Sequence, residues 1–375
     1  MNDRTPVTWK CVHTLKGHSA AVNSIAINPQ SSIIASGSDD KTVSLWDLKT
    51  GKHIFTFYGL LKAVFSVNFS PDGKMLVSGG LDRKITTWDL DTKAMRSLFR
   101  DSTSSESHFG YIFSIAFTPN GEILASASAD KTIEIWHLPR WVVTRTLKGH
   151  SEAVWAIAIA PDGKILASGS TDKTIRIWHL DSWKEPLILS GHSGWVTSVA
   201  IAPNGKILAS GSADTTIKLW HLNTGKLLYT LTGHSSAVWS ISFSPDGESI
   251  VSGSKDEVKI WHLRKAELSD TLSGRHPVVF SPDGNTLISG SKLSTIKIWR
   301  QSSPTRKSTT LPLLSGQWWE VLGVNELASH QEVKLAYRRL IKQYHPDINP
   351  AANAKDIMQV INEAYAKFEA EKLDS

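Results

Sequence analysis

The 375-residue sequence is poor in three features, and each absence excludes a class of protein. It holds a single cysteine, Cys11, so no disulfide can form within the chain, and we expect a reducing, cytoplasmic compartment. It has no run of the about 18 or more apolar residues that a membrane helix needs, and its first residues lack a signal-peptide core. It also lacks dense lysine and arginine clusters, so its net charge of +6 predicts neither a nucleic-acid nor a membrane partner.

What the sequence does contain is a repeat that ends on tryptophan, with intervals of 42, 48, 42, 42, 41 and 38 residues. The repeated tryptophans are Trp46, Trp88, Trp136, Trp178, Trp220, Trp261 and Trp299. Within each interval, β-branched runs alternate with turn sequences such as PDGK and TDK, which predicts a four-stranded antiparallel sheet. Such a sheet is apolar on both faces and must stack on its neighbours. The repeat therefore predicts an all-β, seven-bladed propeller.

The two ends of the repeat array complement each other. After Trp299 the chain continues as RQSSPTRKSTTLP, which does not resemble a strand, so the seventh repeat lacks its outer strand. Residues 8–15, TWKCVHTL, resemble the outer strands of the other repeats. We therefore expect residues 8–15 to complete the last blade of a propeller that covers residues 7–299, which leaves no sheet edge unpaired.

These repeats resemble the WD-repeat family, because GH, a turn aspartate and a tryptophan six residues after that aspartate recur in register. In that family a histidine, a serine, an aspartate and the tryptophan form a hydrogen-bonded structural set. The matching residues are His18, Asp40 and Trp46 in the first repeat, His150, Ser168, Asp172 and Trp178 in the fourth, and His192, Ser210, Asp214 and Trp220 in the fifth. A catalytic His–Asp pair would occur once, so we interpret the recurring set as structural.

Some repeats depart from the pattern. The second has Leu60 in place of the histidine, and the third carries six extra residues around RDSTSSESH. The seventh has lost about five residues after His276, which aligns with the structural histidine, and has Leu293 at the turn aspartate, so we expect this blade to open first. Histidine follows the blade tryptophan at His137, His179, His221 and His262. A shared metal is one interpretation, but successive blades separate these side chains, so we predict no metal and no cofactor.

The positions that vary between repeats indicate a binding surface. The family resemblance places the third and fifth residues after the GH histidine at the mouth of the central channel. Six of these residues are large aromatics, namely Phe65, Tyr111, Phe113, Trp155, Trp195 and Trp239. Aromatic side chains are enriched at binding hot spots, so we predict that this rim binds a protein or peptide client. The alternative is that some of them only pack between blades.

The C-terminal part of the chain differs in composition and period. Residues 300–316 are rich in serine, threonine, proline and basic residues, which predicts a linker. Beyond them apolar residues recur with helical spacing, at Val333, Ala336, Tyr337, Leu340 and Tyr344, and again at Ile357, Val360, Ile361, Ala364 and Phe368. Ser329 and Glu332 have the spacing of a capping box. Residues 317–375 therefore form a small all-α helical hairpin, with WWEVLGV covering one side.

This segment resembles the J-domain of DnaJ-like co-chaperones from Trp318 to about Lys372, through WWEVLGV, AYRRLIKQYHPD and INEAY. The resemblance implies a DnaK-type ATPase chaperone as partner, and an HPD tripeptide that triggers ATP hydrolysis in it. The implied contact residues are His345, Pro346 and Asp347, together with Lys334, Arg338, Arg339 and Lys342 on one basic helix face. A merely solvated helix face is the alternative. A clear fourth helix, a Gly/Phe-rich region and a zinc region are missing.

We therefore predict a co-chaperone or adaptor whose propeller binds a client or scaffold protein, and whose J-domain recruits a DnaK-type chaperone and stimulates its ATPase. The alternative is a non-catalytic interaction scaffold whose J-like tail only docks. An enzyme with a site in the propeller channel is a third hypothesis. The sequence shows no nucleophile motif, phosphate loop or paired carboxylates for such a site, so we predict that the protein is not an enzyme.

Overall fold

The chain is described by a computed structural model over residues 8–30, 32–98, 108–138, 140–292, 294–302, 318–322, 324, 328–344 and 354–373. The chain divides into two compact units, Met1–Ser302 and Ser303–Ser375. Several predicted features lie outside the described residues, namely His345, Pro346, Asp347, Leu293, the side chains of Lys342, Tyr344 and Ile357, most of the linker, and most of the extra loop of the third repeat.

The described residues of the first unit form 28 strands. The first fourteen are β1 Thr8–Leu15, β2 Val22–Ile27, β3 Ile33–Ser38, β4 Val43–Asp47, β5 His53–Phe57, β6 Val64–Phe69, β7 Met75–Gly80, β8 Ile85–Asp89, β9 Met95–Leu98, β10 Ile112–Phe117, β11 Ile123–Ser128, β12 Ile133–His137, β13 Val142–Leu147 and β14 Val154–Ile159. The others are β15 Ile165–Ser170, β16 Ile175–His179, β17 Leu187–Leu189, β18 Val196–Ile201, β19 Ile207–Ser212, β20 Ile217–His221, β21 Leu227–Leu231, β22 Ser240–Phe243, β23 Ser249–Gly253, β24 Val258–His262, β25 Glu267–Leu272, β26 Arg275–Phe280, β27 Thr286–Gly290 and β28 Ile296–Ser302.

The strands form seven four-stranded antiparallel sheets. Blades 1 to 6 are meanders of four consecutive strands, from β2–β5 in blade 1 to β22–β25 in blade 6. The innermost strands β2, β6, β10, β14, β18, β22 and β26 contact one another in turn, and β26 returns to β2, so the ring is closed. The predicted seven-bladed propeller is confirmed.

Blade 7 combines both ends of the unit, with strand order β1-β28-β27-β26. β1 runs antiparallel to β28, from Thr8 opposite Ser302 to Leu15 opposite Ile296. β28 continues to Ser302, so the sequence-based end of the last strand at Trp299 was wrong. The three extra residues are held because they pair with the incoming β1, a partner that the local sequence does not reveal.

The apolar core lies between blades, as expected for sheets that are apolar on both faces. Phe57 of blade 1 packs against Trp88 of blade 2, with ring centroids 5.1 Å apart. At the closure, Leu15 and Ile288 of blade 7 pack in one cluster with Trp46 of blade 1. Each blade is therefore stabilised by the burial of its faces against two neighbours.

The recurring polar set is a buried hydrogen-bond chain, as predicted. In blade 4, Nδ1 of His150 lies 2.7 Å from Oδ2 of Asp172, and its Nε2 lies 2.8 Å from Oγ of Ser168. The indole N–H of Trp178 donates to the same Oγ over 2.8 Å. The carboxylate also accepts from Thr174. Blades 1, 3 and 5 repeat the arrangement around His18, His108 and His192.

Blade 2 shows what the set does by lacking one member. Leu60 replaces the histidine, and among the described residues the buried Trp88 indole N–H has no hydrogen-bond partner. Burial raises the pKa of Asp82, whereas in blade 4 the bonds from His150 and Thr174 outweigh burial and lower the pKa of Asp172. The histidine therefore stabilises the ionised turn aspartate.

Blade 7 corrects an interpretation made from the sequence. Val278 in blade 7 is equivalent to Ile241 in blade 6. The backbone N–H of Val278 donates to Oγ of Ser240, just as that of Ile241 donates to Oγ of Ser198. His276, two residues earlier, therefore occupies the channel position of Trp239 and is not the structural histidine. Its ring lies 5.9 Å from the Trp239 ring. The sequence comparison failed here because the deletion falls before His276 rather than after it.

The second unit is helical, with α1 Trp318–Leu322, α2 His330–Tyr344 and α3 Ala354–Leu373. Its core joins the three helices through Trp318, Leu322, Val333, Ile361, Ala364 and Phe368. The predicted capping box is confirmed, since Ser329 N–H donates to Glu332 Oε2 over 2.8 Å and Glu332 N–H donates back to Ser329 Oγ over 3.4 Å. No described helix has the length and apolar character required to cross a membrane.

Candidate protein-binding surfaces

A cavity of about 560 Å³ occupies the channel where the innermost strands begin. One residue from each blade lines it at the same register, and we call this set the channel ring. The channel ring consists of Asn23, Phe65, Phe113, Trp155, Thr197, Trp239 and His276. The structure thus brings together four of the six predicted client-binding aromatics, Phe65, Phe113, Trp155 and Trp239.

The aromatic members of the channel ring touch one another. Phe65 and Phe113 meet edge to face at 5.6 Å between centroids, and Phe113 stacks on Trp155 at 4.1 Å. Trp155 reaches Trp239 at 5.8 Å although the two belong to blades 4 and 6. They meet because the blade between them contributes the small Thr197, which is buried and bonded to backbone carbonyls. The result is a continuous apolar surface at one side of the mouth.

Tyr111 and Trp195, the other two predicted residues, lie outside the cavity lining and are 42% and 48% exposed. Their backbone carbonyls accept hydrogen bonds from Ala129 and Ala213, in the turns between the second and third strands of their blades. Tyr111 extends the aromatic surface, because its ring lies 6.5 Å from that of Phe113. Trp195 makes no such ring contact among the described residues.

The cavity mouth also has a polar side that the sequence analysis missed. Lys255, Arg275 and His276 line it. Burial, with a smaller contribution from the Arg275 charge, lowers the pKa of His276 to about 4, so this imidazole is neutral at physiological pH. The short interval of 38 residues between Trp261 and Trp299 was the available signal that this repeat had to be aligned differently.

Two exposed apolar residues were also missed. Leu61 and Phe109, which are 62% and 75% exposed, directly follow the structural histidine position in blades 2 and 3. The corresponding residue is serine in four other blades, at Ser19, Ser151, Ser193 and Ser235. The same comparison between repeats that singled out the channel positions would have revealed them, had it included the loop before the strand.

The Ser–His–Asp chains do not form an active site. Ser36, Ser168 and Ser210 are fully buried, and each hydroxyl already accepts a bond from a tryptophan indole. No substrate could reach such an oxygen without opening the blade. In the part of the chain that the structure describes, no three His, Cys, Asp or Glu side chains come close enough to hold a metal ion.

The helical unit exposes a basic face on α2. Lys334, Arg338 and Arg339 are exposed there, and none of them forms an ion pair among the described residues. Leu335 stands among them with 66% of its surface exposed. Tyr337 is held on the opposite side by stacking on Tyr365 at 4.1 Å and by donating from its hydroxyl to Asn362 over 2.9 Å. The α2–α3 contact therefore fixes which side of α2 the cations occupy.

Comparison with known proteins gives two family matches. The model of the WD domain, G-beta repeat, matches residues 9–47, 51–89, 101–137, 141–179, 183–221, 225–262 and 277–300. The DnaJ domain model matches residues 317–372.

Among individual proteins, the chain is similar to the chaperone protein DnaJ of Rippkaea orientalis, with 52% identity over 52 residues, which is 14% of each chain. It is also similar to the chaperone protein DnaJ of Mycoplasma capricolum, with 57% identity over 47 residues, and to chaperone protein DnaJ 1 of Aquifex aeolicus, with 52% identity over 48 residues. These alignments cover 12% and 13% of this chain, and 13% of each of those two relatives. The WD model, by contrast, covers more than half of the sequence, and the chain therefore belongs to the WD-repeat family and carries a DnaJ domain at its C-terminal end.

Proposed function

We propose that the protein is a J-domain co-chaperone: the helical unit recruits a DnaK-type ATPase chaperone and stimulates its ATP hydrolysis, while the propeller holds a client or scaffold protein. The observation that carries the proposal is the DnaJ-domain match over residues 317–372, with His345, Pro346 and Asp347 in the expected sequence context. The propeller alone would leave the function open, since the same fold supports many activities.

The exposed cations of α2 support recruitment. Lys334 and Arg338 are four residues apart, so they project from the same face of the helix, and Arg339 lies beside them. Such a face accelerates and orients the encounter with an acidic partner. The Tyr337–Tyr365 stack and the core beneath it keep this face directed away from α3.

The channel ring supports client binding. Its aromatic side chains form a continuous apolar surface that is open to solvent at the cavity mouth, and Tyr111 and Trp195 add exposed aromatic area near the strand entries. Aromatic residues bind partners well because they bury a large area with few rotatable bonds. An enzymatic role is disfavoured, because the Ser–His–Asp chains are sealed inside the blades.

Single-turnover ATP hydrolysis by a DnaK-type chaperone, measured with and without the full chain, tests recruitment. We expect stimulation by the parent protein, its loss in Asp347→Asn, and a weaker apparent affinity in Arg338→Glu. Lys367→Glu, an exposed charge change on α3, is the matched control and should stimulate normally. If the parent and Asp347→Asn stimulate equally, or neither does, the co-chaperone assignment is wrong and the docking-only scaffold replaces it.

Client capture tests the channel ring. A double variant, Trp155→Ala with Trp239→Ala, should lose the proteins captured by the full chain from cell extract, while its thermal unfolding and its ATPase stimulation are retained. Trp183→Ala removes a tryptophan near the outer strand of blade 4, where it packs against Arg145, and should capture as the parent does. Equal capture by the parent and the double variant would remove the channel ring from the proposal.

A further inference from the structure

Blades 2 and 3 carry exposed apolar side chains where four other blades carry serine. Leu61 and Phe109 stand at the same position in adjacent blades, and their innermost strands β6 and β10 are neighbours. The loop geometry does not require them, because serine fills the same position elsewhere. Exposed apolar groups that cluster on adjacent elements mark interaction sites.

An aromatic path connects this cluster with the channel. Phe109 lies on the loop whose backbone N–H donates to Asp130 over 3.0 Å, two residues before Tyr111. The Arg83 guanidinium of blade 2 lies 5.9 Å from the centre of the Tyr111 ring of blade 3, and Tyr111 in turn contacts Phe113 of the channel ring. Contacts therefore lead from Arg83 through Tyr111 to the channel ring at the cavity mouth, and Phe109 stands two residues before Tyr111 in the chain.

Cations border the same surface. Lys41, Arg83, Lys131 and Lys173 occupy one turn position in blades 1 to 4 with φ between 65° and 73°. In blade 5 the same turn position is Thr215, with φ 68°, so the left-handed conformation belongs to the turn itself. What is particular to blades 1 to 4 is that the residue there is an exposed cation.

The charges are unequal around the ring of turns. Lys131 is paired with Glu152 over 3.4 Å. Lys62 and Arg83 of blade 2, in contrast, have no acidic partner within 4 Å among the described residues, and Asp82 beside Arg83 is partly buried in its turn. The exposed Asp39 of blade 1 accepts from Asn23 over 2.6 Å. Lys41 and Lys173 likewise form no ion pair among the described residues, so the absence of a partner does not set blade 2 apart. Blade 2 differs because its unpaired cations stand beside exposed apolar groups: Lys62 follows Leu61 in the chain, and Arg83 contacts the ring of Tyr111.

From these contacts we infer a docking site for an acidic peptide segment in which Asp or Glu residues are interspersed with large apolar residues. We call this site the blade 2–3 sector, and it consists of Leu61, Lys62, Arg83, Phe109 and Tyr111. The inference rests on the proposed function, since it specifies the chemistry of the protein held by the propeller. A single-stranded nucleic acid fits less well. Its bases need several free aromatic faces, whereas in this sector the Arg83 guanidinium lies against the Tyr111 ring and Leu61 offers no ring.

Fluorescence anisotropy with the full chain tests the inference. The probe is a labelled 15-residue peptide in which Glu alternates with Leu and Phe, and the comparison probes replace Glu by Lys, or Leu and Phe by Ser. A 15-nucleotide oligothymidine serves as the nucleic-acid probe. We expect the acidic apolar peptide to bind at least about tenfold more tightly than each of the other three, and its affinity to fall as salt is raised.

Matched variants locate the site. Lys62→Glu with Arg83→Glu should weaken the acidic probe about tenfold and strengthen the lysine probe, whereas Lys173→Glu, at the same turn position in blade 4, should change neither. Phe109→Ser should weaken binding about tenfold, whereas Tyr229→Ser, an exposed aromatic on an outer strand, should not.

The inference is overturned by equal binding of the acidic and lysine probes, by tighter binding of the oligonucleotide, by equal effects of Lys173→Glu and the blade 2 reversal, or by no peptide binding up to about 1 mM. The experiments distinguish failure of this inference from failure of the proposed function. If the Trp155/Trp239 double variant still abolishes client capture while the acidic probe fails, only the chemistry assigned to the client is wrong.

Discussion

The buried histidines of the propeller illustrate how a single side chain can connect three others. In blade 4 the Asp172 carboxylate can only accept, so the Nδ1–H of His150 donates to it. In the neutral imidazole Nε2 is then an acceptor, and Ser168 donates its hydroxyl proton there while accepting from the Trp178 indole. One orientation of the imidazole and the hydroxyl gives every polar atom of this hydrogen-bonded set a partner, which explains why the set tolerates complete burial.

Removing the Ser168 hydroxyl should show how much this hydrogen-bonded set stabilises the blade. Ser168→Ala leaves the His150 Nε2 and the Trp178 N–H buried without a partner, and each unsatisfied group costs about 1–3 kcal/mol. We expect the free energy of unfolding, measured in urea, to fall by roughly 2–4 kcal/mol. Ser151→Ala in the same blade is the control, because only the backbone N–H of Ser151 takes part in the set. A loss below about 0.5 kcal/mol would contradict the role assigned to the hydroxyl.

The missing histidine of blade 2 can be restored. Leu60→His should let the imidazole bridge Asp82 and Ser78, so the pKa of Asp82 changes from raised to lowered. An aspartate with a lowered folded pKa stabilises above its unfolded pKa, near 4, and this stabilisation is lost as the pH falls. We therefore expect a gain of about 1 kcal/mol at pH 7 that shrinks towards pH 3, measured by urea unfolding. Leu61→His, one residue away, should give no gain at either pH.

Histidine burial also predicts acid sensitivity. Burial lowers the pKa of His234 to about 4, against about 6.5 in the unfolded chain. A histidine with a lowered folded pKa resists protonation only in the native state, so stability falls as the pH drops from about 6.5 towards 4, by roughly 2–4 kcal/mol for this site. His234→Leu, the residue that blade 2 uses, should flatten the decline in melting temperature over this range. His53→Leu, an exposed change, should leave the slope unaltered.

At the scale of elements, the decisive pairing is that of β1 with β28. It joins residues from the two ends of the propeller, and Trp9 of β1 also packs against Phe280 of β26, with centroids 5.9 Å apart. Without β1 the row of backbone groups along β28 would be an open sheet edge, and such edges recruit other chains. Blade 7 therefore depends on a segment that is distant in sequence.

Deleting residues 1–15 should therefore open blade 7. We expect the melting temperature of the propeller to fall by more than about 5 °C, and the protein to self-associate through β28 in size-exclusion chromatography. Deleting residues 1–7 keeps β1 and should do neither. A monomeric, equally stable product of the longer deletion would show that the β1–β28 pairing is dispensable.

Much of this architecture follows from periodicity. Tryptophan spacing fixes the number of blades, because each repeat must supply the same inter-blade contact, and the family-specific polar set follows from its register. The end of β28 and the place of His276 could not be obtained that way, because a deletion leaves the local spacing ambiguous until pairing is known. The channel-ring positions of blades 1 to 6 could be located from register alone, whereas the contact of Trp155 with Trp239 across blade 5 depends on the size of Thr197.

At the scale of the whole molecule, the affinity for the DnaK-type chaperone and the maximal stimulation of its ATPase should respond differently to salt. In the proposed function, the α2 cations contribute through electrostatic attraction that salt screens, whereas the HPD tripeptide acts after docking. Raising the ionic strength from about 0.05 to about 0.3 M should therefore weaken the apparent affinity for the DnaK-type chaperone severalfold. The maximal ATPase stimulation at saturation should be unchanged, as measured by single-turnover hydrolysis. A loss of the maximum with unchanged affinity would contradict this division.

The pairing of β1 with β28 also determines how late in protein synthesis the propeller can close. Translation proceeds at about 5–20 residues per second, so roughly 15–60 s pass between synthesis of Leu15 and of Ser302. During that interval the face of blade 1 that carries Trp46 and Val22 has no partner from blade 7. The propeller cannot close before β28 has been made, and β28 ends only shortly before the DnaJ match begins at residue 317. A nascent chain thus exposes apolar surface for nearly its whole synthesis, and slow elongation late in the message would prolong its risk of aggregation.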